Sequence, residues 1–363
     1  MRVGVRVDAG GLIGGGHAMR CLTLANELAR DGAEIVFATC AMPDAFAKRI
    51  QACGHELTHL PAIGLPNRTG PDWHDPPLGD EAQIAGARAT GAVLGSVDWL
   101  VVDHYLLDAH WHSAARRYAR HILVVDDLAN RSYGCNLLVD ETGDRTTEAY
   151  RGLVPGSATV LAGAHYALLR PEFARERVAS LARRGEVQSV QRILVSLGTT
   201  DPEGVTATAL EALLSIAGDC PIDVVLGSGA ETLNQVERIA ACHGQVVVHV
   251  DIDRMAELMR DADLAIGAAG TTSWERCCLG LPSVALVLAE NQRGNAEALA
   301  RSGAAIVIDS VDAIGSAVAT VLGDEQRRRR MSAAAFGLTD GEGTGRVVRA
   351  MLDSGAERSA VQA

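Results

Sequence analysis

Five short polar clusters in this 363-residue chain carry side chains suited to moving protons or holding anions. The first is Gly10-Gly11-Leu12-Ile13-Gly14-Gly15-Gly16-His17, which follows an apolar run at 3–7 and leads into 18–30, where apolar residues recur at helical spacing. A glycine-rich turn from strand into helix lets a ligand approach the backbone, and the helix's free N–H groups face that ligand with partial positive charge. His17 adds a titratable group at the same spot. Taken alone, the run is a tight turn with an incidental histidine, so its meaning depends on the other clusters. These are Asp103-His104-Tyr105, Asp126-Asp127, the run from Ala268 to Glu275 (AAGTTSWE), and Glu290-Asn291-Gln292, each just after an apolar run. Small residues followed by hydroxyls at a helix start suit a diphosphate. Glu275, one turn in, can accept hydrogen bonds from ribose hydroxyls, or simply complement the helix dipole for ~0.3–1 kcal/mol. Asp126 and Asp127 fit turn and capping chemistry as well as catalysis.

The elements that must position these clusters alternate. In the first half, strands are expected at 3–7, 34–40, 55–60, 99–102, 122–125 and 137–140, with helices at 17–30, 43–52, 80–95 and 108–119. A Pro/Gly-rich loop at 61–79 interrupts the pattern, and its length suggests a functional, mobile segment. The alternation restarts at Arg192 and continues through strands at 222–227, 246–250, 264–267, 283–288 and 305–308. Strands alternating with helices imply parallel sheets covered on both faces. The fold class is therefore α/β, with two Rossmann-like doubly wound domains: 1–170 and 192–354, a charged helical junction at 171–191, and a frayed tail at 355–363. Ligands in such sheets bind at the carboxyl ends of strands, so a cleft between the two domains is the expected site. Arg327 to Arg330 read as a solvated charged face.

Composition narrows the class further. Hydrophobic residues make up 48% and charged residues 21%, an ordinary globular balance. A net charge of −12 argues against nucleic acid or an anionic membrane surface as partner. The eight cysteines lack metal-type spacing and read as buried, reduced thiols. With no signal-like segment at the start and no run near the ~20 apolar residues that span a bilayer, a cytoplasmic protein without stable membrane insertion is expected.

Three motifs are discounted. His55-Glu56-Leu57-Thr58-His59 matches a zinc-protease pattern, but it follows Gly54 and ends at Pro61 as an alternating run. Residues four apart on a strand lie ~13 Å from each other, too far to share one metal ion. Asp251-Ile252-Asp253 resembles a metal clamp, yet Asp253 precedes an amphipathic helix and makes an ordinary N-cap. The run from Gly198 to Gly204 is not a dinucleotide fingerprint, and neither domain's second strand ends in the acidic residue that binds a ribose of NAD. No Walker lysine follows any glycine loop. No cofactor and no metal are expected.

The segments GGGHAMR, VVDHYLLD, VVDDLANR, AHYALLRPEF and AAGTTSWERCCLGLPSVALVLAENQ together resemble the UDP-2,4-diacetamido-2,4,6-trideoxy-β-L-altropyranose hydrolases of pseudaminic acid biosynthesis. The similarity runs from the first strand to about Gly303, and the AGTTSWE region is shared more loosely with MurG-like glycosyltransferases. The resemblance implies a GT-B architecture and metal-independent hydrolysis of the bond between the anomeric carbon and UDP, with inversion. It makes His17 the base for the attacking water, with Asp103 and Tyr105 in the catalytic set. It puts Gly14, Gly15, Gly16, Asp126 and Gly198 among the substrate-binding residues. Gly270, Thr271, Thr272 and Ser273 would contact the diphosphate, Glu275 the ribose, and Asn291 and Gln292 the sugar side of the donor. Two departures stand out: Gly198-Thr199-Thr200-Asp201 where a Gly-Gly-x-Asp loop is expected, and Glu141-Thr142 where amide residues are common. The implied partner is a UDP-sugar, with a monomer or weak homo-oligomer as assembly. A GT-B glycosyltransferase and a non-catalytic nucleotide-sugar binder are the alternative readings.

Overall fold

A computed structural model describes residues 1–10, 14–61, 78–186, 188–201 and 204–361. The chain divides into two compact units, one made of Met1–Leu168 with Gly343–Ala363 and the other of Leu169–Glu342. Most of the 61–79 loop, together with Gly11, Leu12 and Ile13 of the glycine run, lies outside the described residues.

The first unit runs β1 (Arg2–Val7), α1 (Gly16–Arg30), β2 (Glu34–Thr39), α2 (Asp44–Ala52), β3 (Glu56–His59), α3 (Asp80–Leu94), β4 (Val97–Asp103), α4 (Ala109–Ala115), β5 (Ala119–Val125), β6 (Leu137–Asp140) and β7 (Thr159–Ala162). Among the described residues these seven strands form one parallel sheet in the order β3-β2-β1-β4-β5-β6-β7. Central strands alternate between two buried faces: Val3, Val5, Val7, Trp99, Val101, Leu123 and Val125 enter one core, and Leu100, Val102, Ile122 and Val124 the other. Double-faced burial explains their nearly continuous apolar sequence. The expected strands all appear, whereas β7, a half-exposed edge strand, had too little apolar pattern to stand out. The HELTH run is indeed extended, and the His55 ring bonds Asn26 Oδ1 at 2.8 Å.

The second unit runs α5 (Pro171–Glu186), β8 (Ile193–Ser196), α6 (Val205–Leu214), β9 (Ile222–Leu226), α7 (Leu233–Cys242), β10 (Val246–Val250), α8 (Met255–Asp261), β11 (Leu264–Ala268), α9 (Thr272–Cys278), β12 (Ser283–Leu286), α10 (Arg293–Ser302), β13 (Ala305–Ile308), α11 (Ile314–Leu322) and α12 (Glu325–Leu338). Its parallel sheet has the order β10-β9-β8-β11-β12-β13. In both sheets the winding direction reverses beside the first strand, between β1 and β4 and between β8 and β11.

Several boundaries differ from the sequence expectation. The chain's last helix, α13 (Gly343–Val361), belongs to the first unit rather than the second, because Val347, Val348 and Met351 pack into the core that α1 covers. It also continues as helix through 355–361, where fraying was expected. The 171–191 junction is largely α5, a part of the second unit. Arg328 is buried, not solvated: its guanidinium donates to Val321 O at 2.7 Å and Leu322 O at 2.8 Å, capping α11. The N-cap position of α8 is Arg254, and Asp251 instead accepts from Ser228 N. All eight cysteines are free thiols, yet Cys53 and Cys242, at helix ends, are exposed. Among the described residues no helix is long and apolar enough to cross a membrane.

His112 on α4 is fully buried, its Nδ1 accepting from Gly134 N at 3.2 Å. Burial, then the charges of Arg131 and Arg116, push its pKa down from 6.5 to about 3. Between these values the unfolded chain binds a proton that the folded one does not, so stability falls as pH drops from 6.5 toward 3. One such proton gives a slope of about 1.4 kcal/mol per pH unit. His112→Asn, which keeps an acceptor for Gly134 N, is expected to lose that part of the slope in denaturant titrations. Equal slopes in variant and parent would assign the proton elsewhere.

Candidate active site

At the winding reversal of the first sheet, the loops after β1 and β4 meet, the place where doubly wound sheets bind ligands. The β1 loop turns at Gly10 and Gly14, both at positive φ, and Gly10 N bonds Gly14 O at 3.0 Å. Gly15 precedes α1, and a Cβ there would collide with the Phe46 ring of α2, which would have to move aside. Helix α1 then turns His17, Arg20, Cys21, Leu24 and Leu28 inward on one stripe. The polar end of that stripe meets the end of β4.

Asp103, the last residue of β4, is almost wholly buried and organises the cluster. Its carboxylate accepts two hydrogen bonds from the Arg20 guanidinium, from Nε and Nη2, both at 2.7 Å. It also lies 2.6 Å from His17 Nδ1, and the Cys21 thiol donates to it at 3.4 Å. Burial works against ionising Asp103, but the charge of Arg20, then that of His17, overcomes it and holds the carboxyl well below its usual range. An ionised Asp103 accepts a hydrogen bond from Nδ1–H, which fixes the imidazole with Nε2 facing the other way. There Nε2 stands 3.1 Å from the Tyr105 hydroxyl, and that hydroxyl donates to Asp127 at 2.9 Å. Arg20 Nη1 reaches Asp127 at 3.2 Å and Glu141 at 3.3 Å, and Glu141 also accepts from Leu168 N at 3.1 Å. Burial raises the Glu141 carboxyl despite Arg20.

The structure therefore brings together His17, Asp103 and Tyr105 and adds Arg20, Asp127 and Glu141. Arg20 was detectable as the residue one helical turn beyond His17, and Glu141 stood out only as a departure from the family pattern. Asp126 is a correction. It turns away from His17, pairs with Arg131 at 3.1 Å, accepts from Leu128 N, Ala129 N and Tyr150, and is 1% exposed. Its carboxylate closes the turn after β5, leaving the neighbouring Asp127 to face the cluster. His104 likewise points away from Asp103, to Asp8 at 3.1 Å. Asp8 also accepts from Arg6, Thr39 Oγ1 and Cys40 N, tying the ends of β1, β2 and β4 together.

In the second unit the loops after β8, β11 and β12 carry the remaining candidates. Gly198 has φ +134°, and beyond it Asp201 caps α6 through Thr206 N and binds Thr232 Oγ1. Gly270 leaves space beside Gln292, whose Nε2 would lie 3.7 Å from a Cβ there, while Gln292 Oε1 accepts from Leu288 N at 3.0 Å. Gln292 and Asn291 lie in a 3-10 turn, Glu290–Gln292. Ser273 is a second correction: it is buried on the inner side of α9, its hydroxyl donating to Ala268 O at 3.3 Å. The N–H groups of Ser273 and Trp274 are likewise used within the turn. Glu275 pairs with Arg170 at 3.3 Å, and burial raises its carboxyl.

Residues 192–342 match the family model described as glycosyltransferase family 28 C-terminal domain. The chain is 22% identical over 307 residues to the UDP-2,4-diacetamido-2,4,6-trideoxy-β-L-altropyranose hydrolase of Campylobacter jejuni, covering 84% of this chain and 97% of that protein. It is 28% identical over 374 residues to the UDP-N-acetylglucosamine--N-acetylmuramyl-(pentapeptide) pyrophosphoryl-undecaprenol N-acetylglucosamine transferase of Halorhodospira halophila, covering 94% and 96%. A shorter match, 37% identical over 134 residues, joins 36% of this chain to only 28% of the protein MJ1062 of Methanocaldococcus jannaschii. Among solved structures, Acinetobacter baumannii MurG superposes with a TM-score of 0.64 at 17% identity, covering 97% of this chain and 99% of that one. The chain has the GT-B fold of two Rossmann-like domains, is similar over most of its length to the Campylobacter hydrolase, and matches the glycosyltransferase family 28 C-terminal domain model within its second unit.

Proposed function

We propose that this protein is an enzyme acting on UDP-sugars, and that it hydrolyses a UDP-2,4-diacetamido-2,4,6-trideoxyhexose to free sugar and UDP. The observation that carries the reading is the buried His17–Asp103 pair at 2.6 Å, set at the ligand-binding end of the first sheet. The likeness to the Campylobacter hydrolase over 84% of the chain supports the substrate class. In this reading His17 Nε2 takes a proton from water as its oxygen bonds to the anomeric carbon. The bond from that carbon to the β-phosphate oxygen breaks, and UDP leaves with the electron pair. Tyr105 lets one arrangement serve both states of the base. Its hydroxyl can donate to a neutral Nε2, or accept from a protonated Nε2 while donating to Asp127. The glycine run at 14–16 makes room beside the base, and the second unit supplies the diphosphate loop through Gly270, Thr271 and Thr272. Glu275 serves the ribose, Asn291 and Gln292 the sugar, and the Gly198 turn borders the nucleotide.

A second reading has a specific observation behind it. The Halorhodospira transferase matches 94% of this chain, so a sugar acceptor other than water fits the same scaffold. Proton NMR of the protein with UDP-2,4-diacetamido-2,4,6-trideoxy-β-L-altropyranose and no acceptor separates the two. Equal amounts of free sugar and UDP support hydrolysis; an intact donor that turns over only when an acceptor is added sinks it.

Two variants test the assignment of roles. His17→Ala is expected to lower kcat by about 10²–10⁴-fold while UDP binding measured by calorimetry survives. Near-parental turnover would remove His17 from the chemistry. Asp103→Asn keeps the shape but releases the imidazole's fixed tautomer, so kcat should fall by a similar ~10²–10⁴-fold with KM little changed. Because Arg20 then lacks its main partner, the variant should also lose about 3–5 kcal/mol of stability in denaturant titrations. The parent's advantage from this carboxylate is present above the ordinary carboxyl pKa and fades as pH falls through the acid range.

A further inference from the structure

The second sheet reverses its winding between β8 and β11, and at that point a guanidinium lies buried beneath the 268–273 loop. It belongs to Arg276, which is 2% exposed and reaches back along its own helix, α9. Nη2 donates to Ala268 O at 2.7 Å and to Ser273 Oγ at 3.0 Å; Nη1 donates to Thr272 Oγ1 at 3.4 Å. Every one of these acceptors is neutral. The adjacent Glu275 is drawn off to Arg170 instead. Gly267 exists as glycine to admit this group: a Cβ there would collide with Arg276 Nη1 and stand 3.1 Å from Ser196 O, at the end of β8.

Other buried arginines show how unusual this is. Arg6 faces Asp8, Arg20 faces Asp103, and Arg131 faces Asp126. Arg328 lacks a carboxylate but sits on the carbonyl end of α11, where the partial charge is negative. Among the described residues Arg276 forms no ion pair, and burial lowers its pKa to about 10 against the weaker opposing charges of Cys277 and Glu275. A buried cation without a counter-charge is costly unless a ligand supplies one. We infer that Arg276 is the fixed positive charge beneath the diphosphate site, completing its charge balance only when the nucleotide's phosphates arrive. It acts as a positioning residue: by donating to Thr272 Oγ1 it leaves that hydroxyl's proton for the ligand, and its charge acts through the loop. The inference rests on the UDP-sugar reading and names the residue that answers the diphosphate.

Calorimetric titration of the full chain with UDP, uridine and inorganic pyrophosphate tests it, using Arg276→Gln, which removes the charge but keeps a donor, and Arg276→Lys, which restores the charge. The expected result is that Arg276→Gln binds UDP and pyrophosphate about tenfold or more weakly, binds uridine as the parent does, and is rescued in large part by lysine. Thermal melting checks folding, and Arg276→Met replaces the glutamine variant if the latter is unfolded. Unchanged UDP affinity without the charge overturns the inference, as does an equal loss for UDP and uridine that lysine fails to rescue. A parent that binds pyrophosphate but not UDP overturns the nucleotide reading and leaves the charge assignment standing; one that binds neither overturns both.

Discussion

The two-point contact between Arg20 and Asp103 is the constraint on which the first unit's chemistry depends. It joins the first helix to the central strand through a pair that water hardly reaches. In that setting an unpaired partner would be expensive, so the pair holds α1 in one rotational position against the sheet. The same carboxylate then orients His17, and the same guanidinium orients Asp127. The base proposed at His17 gains from such rigid support, because small displacements of a catalytic group cost rate steeply.

The second unit solves a different problem with the same topology. The first unit buries cations and anions together, whereas the loop after β11 collects small residues, hydroxyls and a lone buried cation. Carboxylates gathered around Arg20 in one unit, and a buried guanidinium outside any ion pair among the described residues in the other, suit a division of labour. Carboxylates favour the protonated form that a general base reaches, while an anion site gains from a field that is already in place.

Much of this was legible from residue order. Doubly buried strands such as 99–102 and 122–125 announce themselves as short apolar runs, and the polar residues that follow them mark the strand ends where ligands bind. What local pattern cannot reveal is which of two adjacent residues turns inward. Asp126 and Asp127 are chemically identical, and only the competing donors Arg131, Ala129 N and Tyr150 decide that Asp126 closes a turn. Ser273 and Thr272 divide in the same way, one facing inward and one left at the loop. The role of Arg276 was invisible because its meaning lies in a missing partner. The domain assignment of the last helix was equally hidden, since its apolar face fits any parallel sheet and long-range packing alone chose the first.

That last helix has a consequence for how the chain becomes a protein. Val347, Val348 and Met351 complete a core whose other members are made within the first 168 residues. During synthesis from the N-terminus, the core beneath α1 waits without the residues of α13 while the whole of 169–342 is made and can fold. The second unit is thus an insertion that matures inside an unfinished host. The first unit cannot complete this core until residues 343–351 have been made.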